Sequence, residues 1–147
     1  MELLLDTHRE YRRRRPNSNE KIQLANNGLQ WTLSSNVSAV GVNDDSLIIR
    51  FHNGSLYEYP NQAKLFDSMM KSNSKGKFVW AKLRRPRVAY QKIGSLPFND
   101  DAQISDEDLF KGIDLEGLAL EKRLRAMGMF IPNATNTLDL IGIEALL

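Results

Sequence analysis

Hydrophobic and polar positions alternate with a period of two along residues 46–52. Leu47, Ile49 and Phe51 fall on one side of an extended chain, and Ile48, Arg50 and His52 on the other. That pattern predicts a strand, and Val37 to Val42 predicts another before it, joined through the turn residues Asn43, Asp44 and Asp45. Asn53-Gly54 then separates two strand-like runs, a hairpin signal because a two-residue turn of that composition wants positive φ at both positions. The third strand is "SLYEYP", in which Tyr57 and Tyr59 share a face and Glu58 points away. Pro60 has no amide proton to donate and ends it.

After Pro60 the period changes to that of a helix. Asn61 is placed to cap a segment whose Leu65, Phe66, Met69 and Met70 lie along one side, and "KSNSKGK" stops it. "FVWAKL" fits a short helix or a strand, and Pro86 prevents a long helix through "KLRRPR". "RVAYQKI" alternates Val88, Tyr90 and Lys92 with Ala89, Gln91 and Ile93, as a closing strand would. The expected fold is α+β, a small antiparallel sheet with one or two packed helices in the order β-β-β-α-α-β over residues 34–94. Residues 1–33 read as an N-terminal arm, with a short helix before Pro16, and residues 95–147 as an acidic linker and helical C-terminal extension. In that extension Ser105 and Asp108 form a capping pair for a short helix ending near Lys111. Asp114 is placed to cap a second helix carrying Leu115, Leu118, Leu120 and Leu124, which Gly128 would stop, and "TLDLIGIEALL" is a last apolar segment.

Composition adds limits to this pattern. A chain of 147 residues with 41% hydrophobic and 26% charged positions suits one soluble domain. No run is long and apolar enough to cross a bilayer, and "MELLLDTHREYRRRR" has the order of a secretory signal reversed, so no membrane association and a cytoplasmic setting are expected. The absence of cysteine removes disulfides and thiolate chemistry. The net charge of +2 conceals a strong asymmetry: residues 64–92 carry nine Lys/Arg against one Asp/Glu, and residues 93–147 carry four against ten. A basic module followed by an acidic tail implies an anionic partner or an intramolecular one.

The ordered stretches "SSNVSAVGV", "LIIRFHNGSLYEYP", "SKGKFVWAKLR" and "AYQKI" resemble the KTSC domain, a small module found in bacterial and phage proteins and at the C-terminus of some lysyl-tRNA synthetases. Its hallmark is a central Tyr-x-Tyr, matched here by Tyr57 and Tyr59. The resemblance covers about two fifths of the chain and departs after "SKGKF", where "VWAKLRRPR" stands. It implies the α+β fold and a binding function, with RNA binding suggested for the family.

Two uses of the tyrosine face are open: core packing under a helix, or a platform on which bases stack. In the second, Lys75, Lys77, Lys82, Arg84, Arg85 and Arg87 would neutralise phosphates around Tyr57 and Tyr59. The arginine run Arg12, Arg13, Arg14 and Arg15, together with Leu118, Leu124, Leu138 and Ile141, is the candidate set for docking protein partners or a second copy. The expectations are therefore a nucleic-acid-binding module, or an adaptor subunit of a large assembly such as a phage particle, which would place the chain in a virion. Neither is an enzyme and neither needs a cofactor. His8 and His52 are the only histidines, His52 is expected exposed at a strand end, and no metal-ligand spacing or phosphate-binding glycine loop is present.

Overall fold

The computed structural model describes residues 16–128. Its centre is a five-stranded antiparallel sheet in sequential order, β1 (Leu29–Trp31), β2 (Val37–Asn43), β3 (Ser46–Phe51), β4 (Ser55–Tyr59) and β5 (Gln91–Ser95). The helices are α1 (Ser18–Asn26), α2 (Phe66–Lys71), α3 (Lys75–Val79) and α4 (Asp106–Ala126). The α+β class and the antiparallel sheet expected from the alternation are present.

Strand β3 is central, and its residues from Leu47 to Phe51 are all buried because both sheet faces are covered. Leu47, Ile49 and Phe51 join Tyr57, Tyr59, Phe78, Trp80 and the inner side of α4 in the larger core. Ile48 joins Leu24, Leu29 and Ala39 under α1 in the smaller one. Arg50 also points to that second face, and its ion pair with Asp101 is almost fully buried at 2.8 Å. Its guanidinium also donates to the Leu96 carbonyl and Ser38 Oγ and lies 4.1 Å from the centre of the Phe98 ring. An unpaired charge there would cost several kcal/mol, so the loop from Leu96 to Asp101 is fastened across the sheet by the arginine it satisfies.

The hairpin between β3 and β4 forms at Asn53-Gly54, but with a three-residue connection. The Gly54 amide donates to Phe51 O at 3.0 Å, and of the two turn residues only Gly54, at φ 91°, has a positive φ. A type I turn followed by one left-handed residue gives the strands their twist without needing positive φ at Asn53. The side-chain oxygen of Asn53 instead accepts from the Ser55 amide.

Several elements differ from the sequence expectation. Residues 18–31, read as arm, form α1 and β1. Asn17 and Glu20 make a reciprocal capping box, with bonds of 2.9 and 3.0 Å, and Leu24 enters the smaller core. Asn61 is a left-handed turn residue at φ 64° and caps nothing; a 3-10 turn over Ala63–Leu65 leads into α2. "FVWAKL" is helical: α3 widens into one π-helical turn over Trp80–Arg84, where amides reach back five residues, as Arg85 N does to Trp80 O. The closing strand begins at Gln91, later than the alternation implied. Among the described residues the acidic tail holds one helix, where two were expected before Gly128. Ser105 caps α4, Asp106, Glu107 and Asp108 fill its positive first turn, and Arg123 and Arg125 sit in its last. Asp114 sits mid-helix because Arg84 holds its carboxylate, removing its reason to act as a cap.

Candidate docking cleft beside the C-terminal helix

Helix α4 lies on the tyrosine face of the sheet, with Leu109, Phe110, Ile113, Leu120 and Leu124 turned inward. Each such side chain, fully buried, contributes about 2 kcal/mol of transfer free energy. Gly117 makes the close approach possible, since a Cβ there would lie 2.0 Å from an atom of the Trp80 indole. Phe110 meets Phe51 and Tyr57 edge to face, with centroids 5.3 and 5.0 Å apart.

This covering buries both tyrosines of the Tyr-x-Tyr. Tyr57 is 6% exposed and Tyr59 1%, so neither ring has a face available for a base. The Tyr57 hydroxyl donates to Asp106 Oδ2 at 2.7 Å, in the first turn of α4. Asp106 also accepts from Asn53 Nδ2 at 2.7 Å, from the Ser55 hydroxyl, and from Lys92 Nζ at 2.9 Å. Burial pushes this carboxyl up, but the bonds from Ser55, Tyr57, Lys92 and Asn53 outweigh it and hold it well below the usual carboxylate range. Burial first, then the bond to Asp106 and its charge, push the Tyr57 hydroxyl up; burial alone is the main cause for Tyr59.

The basic segment meets the acids of α4. Arg84 grips Asp114 with two parallel bonds of 2.6 and 2.8 Å while its guanidinium covers the Phe110 ring at 4.5 Å. Arg85 pairs with Glu121 at 3.1 Å. Of the other cations named from sequence, Lys75 donates to the carbonyls of Met70 and Ser72 and closes the α2–α3 junction. Lys82 is half-buried, and desolvation lowers its pKa. Lys77 borders a shallow depression with Lys122 and Arg123, two cations the sequence reading passed over. Arg87 is exposed and takes the left-handed conformation at φ 58°, an uncommon state for a non-glycine residue.

Between the turn after α3 and the outer side of α4 runs a cleft of about 690 Å³. Trp80, Leu83 and Val88 contribute its apolar floor, Arg84, Arg85 and Arg87 its cations, and Tyr90 and Leu118 its apolar rim. Tyr90 is 50% exposed and Leu118 54%, so the exposed aromatic of this region is Tyr90, whose ring stacks at a tilt on Tyr57 and Tyr59. The cleft brings together Arg84, Arg85, Arg87 and Leu118 from the sequence-derived candidates. Tyr57, Tyr59 and Leu124 are core, and Arg12, Arg13, Arg14, Arg15, Leu138 and Ile141 lie outside the described residues.

His52, expected exposed, is buried; its Nε2 meets the Ser34 carbonyl, and its backbone carbonyl accepts from Ala102. Its own amide donates to Asn36 O, so ring and backbone are both held against the segment before β2. Among the described residues no group of three His, Cys, Asp or Glu is placed to hold a metal, and no helix is long and apolar enough to cross a membrane.

Residues 33–85 match the family model of the KTSC domain, so this stretch of the chain is a KTSC domain, as the Tyr-x-Tyr resemblance implied. The match takes in β2, β3, β4, α2, α3 and the π-helical turn, and leaves α1, β1, β5 and α4 outside it. No curated protein matches the chain.

Proposed function

We propose that this chain, built on the KTSC domain of residues 33–85, is a non-enzymatic protein-docking module that receives an apolar, acidic peptide segment along α4 and the adjoining cleft. The observation that carries this reading is that Arg84 and Arg85 already hold the carboxylates of Asp114 and Glu121, while Leu118 and Tyr90 beside them are half-exposed. A phosphate chain entering here would meet two carboxylates and would have to displace them. An apolar segment gains from the open Leu118 and Tyr90 surface without that cost, and an acidic side chain on it meets Arg87. Among the described residues this leaves the adaptor class ahead of nucleic-acid binding.

One observation favours the nucleic-acid reading at a different place. Lys77, Lys122 and Arg123 border one depression with a single carboxylate, Glu116, a setting in which phosphates would meet mostly positive charge.

The test uses the full chain carrying Leu138→Asp and Ile141→Asp, so that its own apolar residues do not compete. A labelled peptide with the unaltered sequence of residues 137–147 should bind it, a version with both acids changed to lysine should not, and adding Leu118→Asp should abolish binding. Absence of peptide binding, together with steeply salt-dependent binding of single-stranded RNA that Lys122→Glu removes, would overturn the docking reading in favour of the other.

A further inference from the structure

On the side of α4 turned away from the sheet, Lys111, Leu115, Leu118, Lys122 and Arg125 follow one another at spacings of four, three, four and three residues, which lines them up along one helix face. Leu115 is 59% and Leu118 54% exposed, so the centre of this line is apolar and open, and cations stand at both of its ends. The line is about 21 Å long at 1.5 Å per residue. Leu109, Phe110, Ile113, Leu120 and Leu124 already fix the helix to the sheet from its other side.

The charges select the kind of occupant. Among the described residues Lys111 and Lys122 meet no carboxylate, and Arg125 reaches only Glu121, which Arg85 already holds. A second copy of α4 fits poorly. Antiparallel pairing that sets Leu115 against Leu118 of the second copy brings Lys111 level with Lys122 of that copy, and parallel pairing sets each cation against itself. An acidic segment meets both ends of the line without such a clash.

The segment also has to satisfy its own backbone. Amides and carbonyls inside α4 bond along the helix, so its side offers no backbone donor or acceptor to an extended chain. The sheet edge at β5 is interrupted by a bulge where Leu56 and Tyr57 pair with Gly94 and Lys92, an irregularity of the kind that blunts an edge against an added strand. A helix keeps its hydrogen bonds internal and brings only side chains to the contact.

We infer that the Lys111–Leu115–Leu118–Lys122 line of α4 receives an amphipathic helix of another protein, one that carries two apolar residues three apart with an acid four residues outside each. This rests on the docking reading above and names the form of its partner. The apolar pair seats on Leu115 and Leu118, and the acids meet Lys111 and Lys122. That spacing reads the same in both chain directions, so both ends of the line are matched whichever way the helix runs.

The test uses the full chain with the Leu138→Asp and Ile141→Asp changes introduced above. The probe is a labelled alanine- and glutamine-based peptide with Glu-x3-Leu-x2-Leu-x3-Glu at its centre, and binding is read by fluorescence anisotropy. Leu118→Asp should weaken binding ~10-fold, and a peptide with proline between its leucines, which cannot continue a helix, should bind ~10-fold more weakly. Changing both glutamates of the peptide to lysine should abolish binding, and Lys111→Glu with Lys122→Glu in the protein should restore it. Equal binding of the proline-containing and the helical peptide would overturn the helical partner and leave the docking surface in place. The same holds if neither binds while the labelled 137–147 peptide does; if none of the three binds, the docking reading falls with the inference. A dimer mass by light scattering that Leu118→Asp abolishes would assign the line to a second copy and overturn the inference as well.

Discussion

The hydroxyl of Tyr57 and the carboxylate of Asp106 are 2.7 Å apart although 49 positions separate them in the chain, and their bond joins the Tyr-x-Tyr strand to the first turn of α4. Asp106 is the one carboxylate that gathers Asn53, Ser55, Tyr57 and Lys92. Through it the β3–β4 hairpin, the edge strand β5 and the covering helix are tied at one point.

The sign of its pH dependence follows. The Asp106 carboxyl is depressed in the fold, so its stabilisation is fully present above the unfolded carboxylate value, about 3.9, and is lost as pH falls from there through the lower folded value. Denaturation curves from pH 7 to pH 2.5 should show this loss in the unaltered chain and a shallower one in Asp106→Asn. At pH 7 that substitution should cost about 2 kcal/mol, and Tyr57→Phe about 1 kcal/mol.

Removing Asp101 leaves the Arg50 guanidinium buried beside Phe98 without its carboxylate. Asp101→Ala should lower stability by about 3–5 kcal/mol in urea titration, whereas Arg50→Met combined with Asp101→Leu should recover most of that loss. Equal stabilities for the single and double variants would show that the ion pair is not what fastens the loop.

Gly117→Ala places a methyl inside the Trp80 indole envelope, so α4 has to lift from the sheet. A cost of about 1–3 kcal/mol and a change in Trp80 fluorescence are expected. Trp80→Leu in the same chain should make the alanine better tolerated than it is beside tryptophan, measured as coupling in a double-mutant cycle.

Leu24→Ala tests whether the segment before β1 belongs to the fold. Its side chain is 2% exposed against Leu29, Ala39 and Ile48, and thermal unfolding should report a loss of about 2 kcal/mol or more. The sequence reading of residues 1–33 as an arm implies that this segment is dispensable to the core. Deletion through Ala25, which takes Leu24 and the Asn17–Glu20 box together, is now expected to destabilise the sheet.

What the sequence revealed was local. The period of two in "SLIIRF" and "SLYEY" is a property of neighbouring residues, and it placed β3, β4 and the hairpin between them. It also put Tyr57 and Tyr59 on one face, but whether that face is covered depends on Phe110 and Asp106, about fifty positions later. The pairings of Arg84 with Asp114 and Arg85 with Glu121 are likewise tertiary: the charge asymmetry announced that an acidic partner was needed, and distance along the chain hid which one. Strand β1, three residues long, is too short to show a period at all. The box at Asn17 and Glu20 was readable as a helix start, yet Pro16 and the polar "NSN" gave the stronger impression of a break.

The boundary of the family match at Arg85 has a consequence for synthesis. When Arg85 leaves the ribosome, β2 to β4 can already pair as sequential hairpins and Met69, Phe78 and Trp80 can pack on them, but Phe51, Tyr57 and Tyr59 lack Phe110 and the rest of α4 until Ala126 has followed. At about 5–20 residues per second those ~40 residues take roughly 2–8 s, long compared with the microseconds in which a hairpin closes. For that interval the nascent chain displays part of an aromatic sheet face to whatever holds emerging polypeptides, so the production of this protein depends on how promptly α4 arrives.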